Sequence, residues 1–427
     1  MNETDSTNEK NRTIVKNIGQ LVTPEGSEAQ FGSEMNRLSV SRQREILIED
    51  GTIREIGSQG DFTGSNTDEA SVVDAEGEPV LPGFIDPHTH FVFSGYRAEE
   101  FQMRLEGKSY EEIAEEGGGI ASSVRSTRKA GFAELKREAK GRLRSMVGLG
   151  VTAVEGKTGY GLDKDTELKQ LRVMTELNEE TPLDVRPTFL GAHSVPEEYA
   201  DRREEYVDSI VEDIAPLAAE RGAEFCDVFC DRGAFTVEES RKVLKRGKEL
   251  GLVPKIHADE IAGIGGAELA AEVGAISADH LLKASEDGLR RMKENGVIAV
   301  LLPLTAFSLQ EKYARGRWMI DHGLPVSLAT DLNPGSCYSE SIPLLFSLAT
   351  LYMDLTIEET ITALTLNAAA AVDMADRTGT IEPGKQGDLV VIDAPDYRHL
   401  AYHIGANLAK RVIKSGETIW QKGGPNF

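Results

Sequence analysis

Five side chains able to bind a metal ion stand at the ends of apolar runs in this chain: His88, His90, His257, His280 and Asp331. The first two close the stretch Pro82-Gly83-Phe84-Ile85-Asp86-Pro87-His88-Thr89-His90, after a largely apolar run at 80–85 that reads as one buried strand. In extended backbone, residues i and i+2 point to the same side, so His88 and His90 can present two imidazoles to one ion. Imidazole suits zinc, iron and related metals. A single His-x-His pair does not define a site; recurrence of ligands at later strand ends would.

They recur. Val253-Pro254-Lys255-Ile256-His257 is a short apolar run ending in His257, followed by Ala258-Asp259-Glu260. Ala275-Ile276-Ser277-Ala278-Asp279-His280 ends in His280, and Pro325-Val326-Ser327-Leu328-Ala329-Thr330-Asp331 ends in Asp331. Helix-like patterns at 266–273 and 285–294 lie between them. The step from His257 to His280 is 23 residues, about one strand–helix unit; the step from His280 to Asp331 is 51, about two, with a spare strand at 296–302. Alternating strands and helices imply a parallel sheet with right-handed crossovers. Polar residues set repeatedly at the C-terminal ends of its strands describe the active face of a (β/α)8 barrel.

Around that barrel, of about 250 residues in its usual form, the 427-residue chain leaves room for a smaller unit. Residues 45–57 carry β-rich runs joined by an Asp50-Gly51 turn, and the end of the chain repeats the style at 387–393 and 411–420. Neither terminal piece has enough strands for a core of its own, so the two are expected to pair. The expected organisation is residues 1–80 and 381–427 as two parts of one composite β-sandwich domain, with the barrel at 81–380. Residues 1–10, polar and without apolar anchors, are expected to be disordered.

Charge and composition exclude several functions. The 71 acidic residues against 47 basic ones give a net charge of −24, which disfavours nucleic acid and anionic membranes as partners. The acids are dispersed in pairs such as Glu111-Glu112, Glu115-Glu116 and Glu204-Glu205, the pattern of a solvated halophilic surface. No apolar run approaches the ~20 residues needed to span a bilayer. The polar N-terminus lacks a signal-peptide core, and three cysteines (Cys226, Cys230, Cys337) are too few for a disulfide framework; a cytoplasmic protein is expected. Cys226 and Cys230 fall on one face of a strand, where two buried core residues are a better account than a second metal site.

Longer motifs then come into view. They are Arg97-Ala98-Glu99-Glu100-Phe101-Gln102-Met103-Arg104, Gly117-Gly118-Gly119-Ile120, Lys157-Thr158-Gly159-Tyr160-Gly161-Leu162, Phe189-Leu190-Gly191-Ala192-His193 and Asp331-Leu332-Asn333-Pro334-Gly335-Ser336. With the histidine stretches, they make the sequence resemble the amidohydrolase superfamily and, within it, the imidazolonepropionase family of histidine degradation, over residues 17–416. The resemblance implies a small-molecule substrate, 4-imidazolone-5-propanoate, whose cyclic amide is opened by water to give N-formimidoyl-L-glutamate. It implies one metal, zinc by default with iron compatible, held by His88, His90, His257 and Asp331, which leave a position open for an activated water. Glu260, three residues past His257, would act as general base and acid. His280 and Asp331 would complete the catalytic group, His280 by polarising the ring carbonyl. Arg97, on the loop leaving the first barrel strand, would clamp the propionate bidentately. The resemblance adds Tyr160, His193, Glu260, Asn333, Gly335 and Ser336 as substrate contacts, with Tyr160 on a flexible loop. His322, His399 and His403 lie away from strand ends and read as surface or packing residues.

Three positions qualify the match. Gly156 stands where the family usually has a larger apolar residue, and Cys337-Tyr338 where small residues or proline are common. Some relatives bridge two metals through a carbamylated lysine, whereas Lys157 before Gly-Tyr-Gly fits the single-metal pattern. A metal-dependent deaminase or cyclic-ureide hydrolase is the alternative, and Arg97 discriminates, since a neutral nucleobase-like ring offers it no carboxylate. A non-catalytic scaffold would be expected to have lost ligands that are all present here. A homodimer is compatible with a barrel of this size, although no motif encodes one. The charge predicts that activity and thermal stability rise with added salt, because screening relieves repulsion among the excess carboxylates; a stability maximum at low salt, read from melting curves, would contradict this.

Overall fold

The computed structural model describes residues 11–62, 70–108, 112–113 and 117–424. The segment expected to be disordered, 1–10, and Glu111, Glu115 and Glu116 lie outside them; Glu204 and Glu205 are exposed. Eight parallel strands run in sequence order: β1 (Phe84–Thr89), β2 (Val151–Lys157), β3 (Asp184–Ala192), β4 (Phe225–Cys230), β5 (Val253–Ala258), β6 (Ser277–His280), β7 (Ile298–Leu301) and β8 (Val326–Leu328). The spare strand expected between His280 and Asp331 is β7. Most of these strands are buried along their whole length, which is why they read as continuous apolar runs rather than as alternating ones.

Helices connect the strands as the patterns imply. Gly266–Val273 links β5 to β6, and Glu286–Glu294 links β6 to β7, the latter opened by Ser285, whose side chain accepts from the Gly288 N–H. Val237–Glu249 links β4 to β5 and starts with a capping box between Thr236 and Glu239. The helix Leu366–Ala371 packs with Ile85, Ala153 and Phe225 of β1, β2 and β4 in one buried cluster. The barrel closes just beyond β8: the Asp331 N–H donates to the His88 carbonyl (3.1 Å), and the His90 N–H donates to the Leu332 carbonyl (2.8 Å). The eight-stranded barrel is thus present, and one of these closing hydrogen bonds joins two expected metal ligands while the other involves a third.

Two sheets flank it. The four-stranded one is ordered Thr52–Ser58, Arg44–Glu49, Arg12–Ile18, Ser71–Asp74, and comes entirely from the first part of the chain. The six-stranded one interleaves Leu389–Ile392, Ala409–Lys414 and Glu417–Gln421 with Pro79–Pro82, Gln20–Thr23 and Ser39–Ser41. Side chains of both sheets, among them Val15, Ile46, Val80, Leu389 and Ile413, share one core. The composite construction expected of the two chain ends therefore holds: the N-terminal piece forms a four-stranded sheet, but residues of the C-terminal strands complete its core. The expected turn is there too, with Asp50 and Gly51 at φ 50° and 80° between antiparallel strands.

The single strand expected at 80–85 is two. Pro79–Pro82 belongs to the six-stranded sheet and β1 to the barrel, and the break is Gly83. Its N–H donates to the Asp388 carbonyl (2.9 Å), and a Cβ there would collide with the Thr152 side chain, so the chain can change sheets at this point only with glycine. Apolarity runs through because both sheets are buried here. Among the described residues no helix is long and apolar enough to cross a membrane. One buried ion group ties the terminal sheet to the barrel: Lys414 Nζ meets Asp388 (2.7 Å) of the sheet's loop and Asp184 (2.5 Å) at the start of β3. Burial opposes the ammonium, but the two carboxylates raise its pKa above the ordinary lysine value. Lys414→Ala leaves the buried Asp388 without its cation and is expected to cost about 3–5 kcal/mol of stability, measured by denaturant unfolding.

Candidate active site

Strand ends place the ligands. His88 lies near the end of β1 and His90 just beyond it, His257 lies near the end of β5, His280 ends β6, and Asp331 follows β8. His88, His90 and His257 offer nitrogen atoms within 4.8 Å of one another, and His88, His280 and Asp331 offer two nitrogens and a carboxylate oxygen within the same distance. His88 Nε2 and His90 Nε2 lie 3.5 and 3.8 Å from Asp331 Oδ1. Backbone geometry is part of the arrangement: His280 and Asp331 take φ of 74° and 53°, a left-handed conformation at the point where each strand ends.

Three of the expected ligands are backed by a second polar group. His88 Nδ1 donates to Asp279 Oδ2 (2.6 Å), which fixes the tautomer and leaves Nε2 as the coordinating atom. His257 Nδ1 lies 3.0 Å from Asp227 Oδ2, a close contact without hydrogen-bond alignment. Asp331 receives the Thr305 hydroxyl on Oδ2 (2.6 Å), so that Oδ1 is the oxygen facing the imidazoles. Burial holds the His88, His90 and His280 rings below the ordinary imidazole range, in the neutral form a metal requires.

The residues fit a metal. His88 Nε2 and His257 Nε2 are buried with no hydrogen-bond partner, and both belong to the cluster that Asp331 Oδ1 faces. Left without an ion, such atoms incur the full desolvation penalty. Lys157 stands in a buried ion-paired group. Its Nζ is buried against Asp227 Oδ2 (2.7 Å), Glu155 Oε1 (2.8 Å) and Asp279 Oδ2 (3.4 Å). Although burial disfavours the charge, these carboxylates raise its pKa, so the neutral amine that carbamylation needs is suppressed.

Glu260 reaches toward the same space, with Oε1 3.6 Å from His280 Nδ1. Asp231 holds its loop by accepting the backbone N–H groups of Glu260, Ile261 and Ala262 at 2.7–2.9 Å. Burial, with the Asp331 charge beside it, pushes the Glu260 carboxyl up to about 8, poised to exchange a proton near neutrality. Asp259, its neighbour, instead accepts from Ile264, Gly265, Gly266 and Ala267 and caps the next helix.

The remaining expected residues surround this cluster with differing freedom. His193 stacks on His90 (5.1 Å, 10°) and donates Nδ1–H to the Gly159 carbonyl (2.9 Å). Tyr160 is buried edge-on to both rings rather than lying on a flexible loop. The buried Glu167 carboxylate receives the N–H groups of Gly159, Gly161 and Leu162, which sets that loop. Asn333 is consumed in shaping its own turn: Oδ1 accepts from Gly335 and Ser336 (both 2.8 Å), and Nδ2 donates to the Asp331 carbonyl (2.8 Å) and the Ser336 hydroxyl (2.9 Å). Arg97 packs against Gly335, where a Cβ would strike Nη1. Its Nε and Nη2 edge is already taken by Glu100 Oε2 (2.8 and 2.7 Å), so the bidentate clamp expected of it has only the Nη1 side to offer.

The departures from family pattern have answers in packing. The space a side chain at Gly156 would fill is occupied by the Phe91 ring and Met174. Cys337 is buried, with Sγ 3.4 Å from the Thr330 carbonyl, and Tyr338 is exposed. Cys226 and Cys230 are core residues of β4, and no metal-competent group among the described residues includes them. His322 and His403 are exposed and His399 is half-buried, all away from the cluster. Sequence reasoning missed Asp227, Asp279, Thr305 and Asp231. The only signal the three acids gave was position, inside or just after an apolar run, and Thr305 gave none.

The chain belongs to the amidohydrolase family, whose profile matches residues 80–419. Such enzymes use a divalent metal, in keeping with the cluster of imidazoles and carboxylate described above. Within the family it falls among the imidazolonepropionases. It is 54% identical over 415 residues to the imidazolonepropionase of Clostridium tetani, covering 97% of this chain and 99% of that one. Identity is 53% with the enzyme of Bacteroides thetaiotaomicron (93% and 96% covered) and 50% with that of Porphyromonas gingivalis (95% and 97%). Solved structures share the fold at low identity. A triazine hydrolase variant superposes with TM-score 0.73 at 14% identity, covering 97% of this chain and 96% of its own. An adenosine deaminase from Xanthomonas campestris with bound zinc gives 0.70 at 16%, covering 96% and 93%.

His88 is common to both metal-competent groups, whereas His193 belongs to neither. Metal analysis of the purified protein is therefore expected to find about one ion per chain, lost in His88→Ala and kept in His193→Ala.

Proposed function

We propose that this protein hydrolyses 4-imidazolone-5-propanoate to N-formimidoyl-L-glutamate in histidine degradation, with zinc as its ion and iron compatible with the same ligands. What carries the substrate assignment is the near-full-length likeness to imidazolonepropionases. The geometry adds a guanidinium, Arg97, against the loop that bears Asp331. A ring without a carboxylate would leave only Glu100 as its partner.

His88, His90, His257 and Asp331 would hold the metal, which would supply the Lewis acidity that makes water reactive at neutral pH. Glu260 accepts the proton of the attacking water as the water oxygen bonds to the ring carbonyl carbon. When the carbon–nitrogen bond breaks, Glu260 returns that proton to the departing nitrogen. His280, next to Glu260, directs its imidazole to the carbonyl oxygen and steadies the charge that develops there. Arg97 takes the propionate through its Nη1 side, with Gly335 leaving room for it and Ser336 on the same turn. Tyr160 and His193 wall the ring side of the pocket, and Asn333 acts by shaping the turn. The acidic surface fits a cytoplasmic, salt-adapted enzyme.

Loss of ring absorbance from freshly prepared substrate tests this directly. Two variants should separate the roles. Glu260→Gln is expected to lower kcat by ~10²–10⁴, with KM little changed. Gly335→Ala displaces Arg97 and should raise KM far more than it lowers kcat. A folded, metal-loaded protein that leaves this substrate intact would refute the assignment.

A further inference from the structure

Beneath the metal cluster lies a layer of five charges that the reaction itself does not use: Glu155, Lys157, Asp227, Lys255 and Asp279, each fully buried. Three carboxylates face two ammonium groups. Lys255 Nζ contacts Glu155 Oε2 (2.7 Å) and the Ala371 carbonyl (3.0 Å). Lys157 stands differently, because two of its three carboxylates each hold an expected metal ligand through the same oxygen. Asp227 Oδ2 is 2.7 Å from Lys157 Nζ and 3.0 Å from His257 Nδ1. Asp279 Oδ2 is 3.4 Å from Lys157 Nζ and 2.6 Å from His88 Nδ1. The strands that carry these partners, β2, β4 and β6, alternate around the barrel with β1 and β5, which carry the histidines.

A carboxylate behind a ligating imidazole fixes the ring's tautomer and direction, and its loss typically weakens metal binding. Where two such carboxylates share one cation, neither can swing or change charge without disturbing the other. We propose that Lys157 is a positioning residue for the metal centre: its single ammonium joins the carboxylate behind His257 to the carboxylate behind His88, so that the two imidazoles are set as a pair. The proposal rests on the reading of the histidine cluster as a metal site. Lys255, equally buried beside the same Glu155, has no ion pair with Asp227 or Asp279 among the described contacts and serves as the control.

Apparent metal affinity of the full-length protein, measured by chelator competition, is the primary readout. The visible spectrum of the Co(II)-loaded form is the second, since it reports ligand geometry independently of turnover. Lys157→Met is expected to weaken binding ~10–100-fold and to alter the Co(II) bands, while Lys255→Met loses stability but keeps both readouts near wild type. Equal changes in the two variants, or an unchanged Lys157→Met, would overturn the proposal. If Lys157→Met does not fold, Asp227→Asn, Asp279→Asn and their double variant carry the test. Joined carboxylates make the double loss of affinity depart clearly from the product of the single losses, and a simple product refutes the joint. A wild-type chain that binds no ion under the same conditions would overturn the metal reading as well, so the two failures are told apart.

Discussion

The seam between the first and last barrel strands is the constraint from which the active site follows. Asp86 accepts the Thr330 N–H (3.0 Å) and hydroxyl (2.5 Å) across a sequence separation of 244 residues. Two residues further along, the Asp331 N–H donates to the His88 carbonyl, and the His90 N–H then donates to the Leu332 carbonyl. These bonds set the register in which β1 meets the end of β8. A slip of one residue would reverse the facing of each side chain, taking Asp331 away from His88 and His90. Burial pushes the Asp86 carboxyl up to about 7, so the seam places a strained acid under the metal ligands and relies on Thr330 to satisfy it.

Below the ligands the barrel departs from the apolar filling usual at its centre. Desolvating five charges is expensive, and well-packed hydrophobic residues would often be at least as stable. What the charged layer provides is direction. Asp279 aims His88, Asp227 aims His257, and the Thr188 hydroxyl together with both lysines settles Glu155. Apolar side chains could fill that volume but could not fix an imidazole tautomer. The site is therefore rigid in its ligands and more adaptable above them, where Arg97 and Glu260 are only partly buried.

The cluster of histidines and aspartate was legible in the sequence because a parallel strand buried on both faces leaves a plain trace, an apolar run with a polar residue at its end. That trace located His88, His90, His257, His280 and Asp331 and implied the barrel. It failed where a role depends on a neighbour distant in sequence. Asp227 and Asp279 each look like an acid caught in a strand, and only barrel closure brings them behind histidines of other strands. Thr305 and Asp231 were illegible for the same reason. Arg97 was visible as a cation near the site, but not that Glu100 occupies one edge of its guanidinium. Nor did the sequence show that Asn333, expected as a substrate contact, frames its own turn. Residues 80–85 read as one strand because burial continues across Gly83 while the sheet does not. In the N-terminal piece, short runs hid a complete four-stranded sheet.

Gly83 has a bearing on how the enzyme comes into being. One residue separates a strand of the six-stranded sheet from the barrel strand that leads to His88 and His90. On one side of Pro79–Pro82 the neighbour is Gln20–Thr23, made early; on the other it is Leu389–Ile392, made nearly last. The far side of β1 waits in the same way for residues 330–332. On a ribosome, the segment bearing the first two histidines thus emerges with one flank awaiting β2 and the other awaiting a partner 244 residues further on. Long-range closure of this kind is slow to form. A nascent chain can begin its strands and helices early, but it has no working centre until almost all of it has been translated.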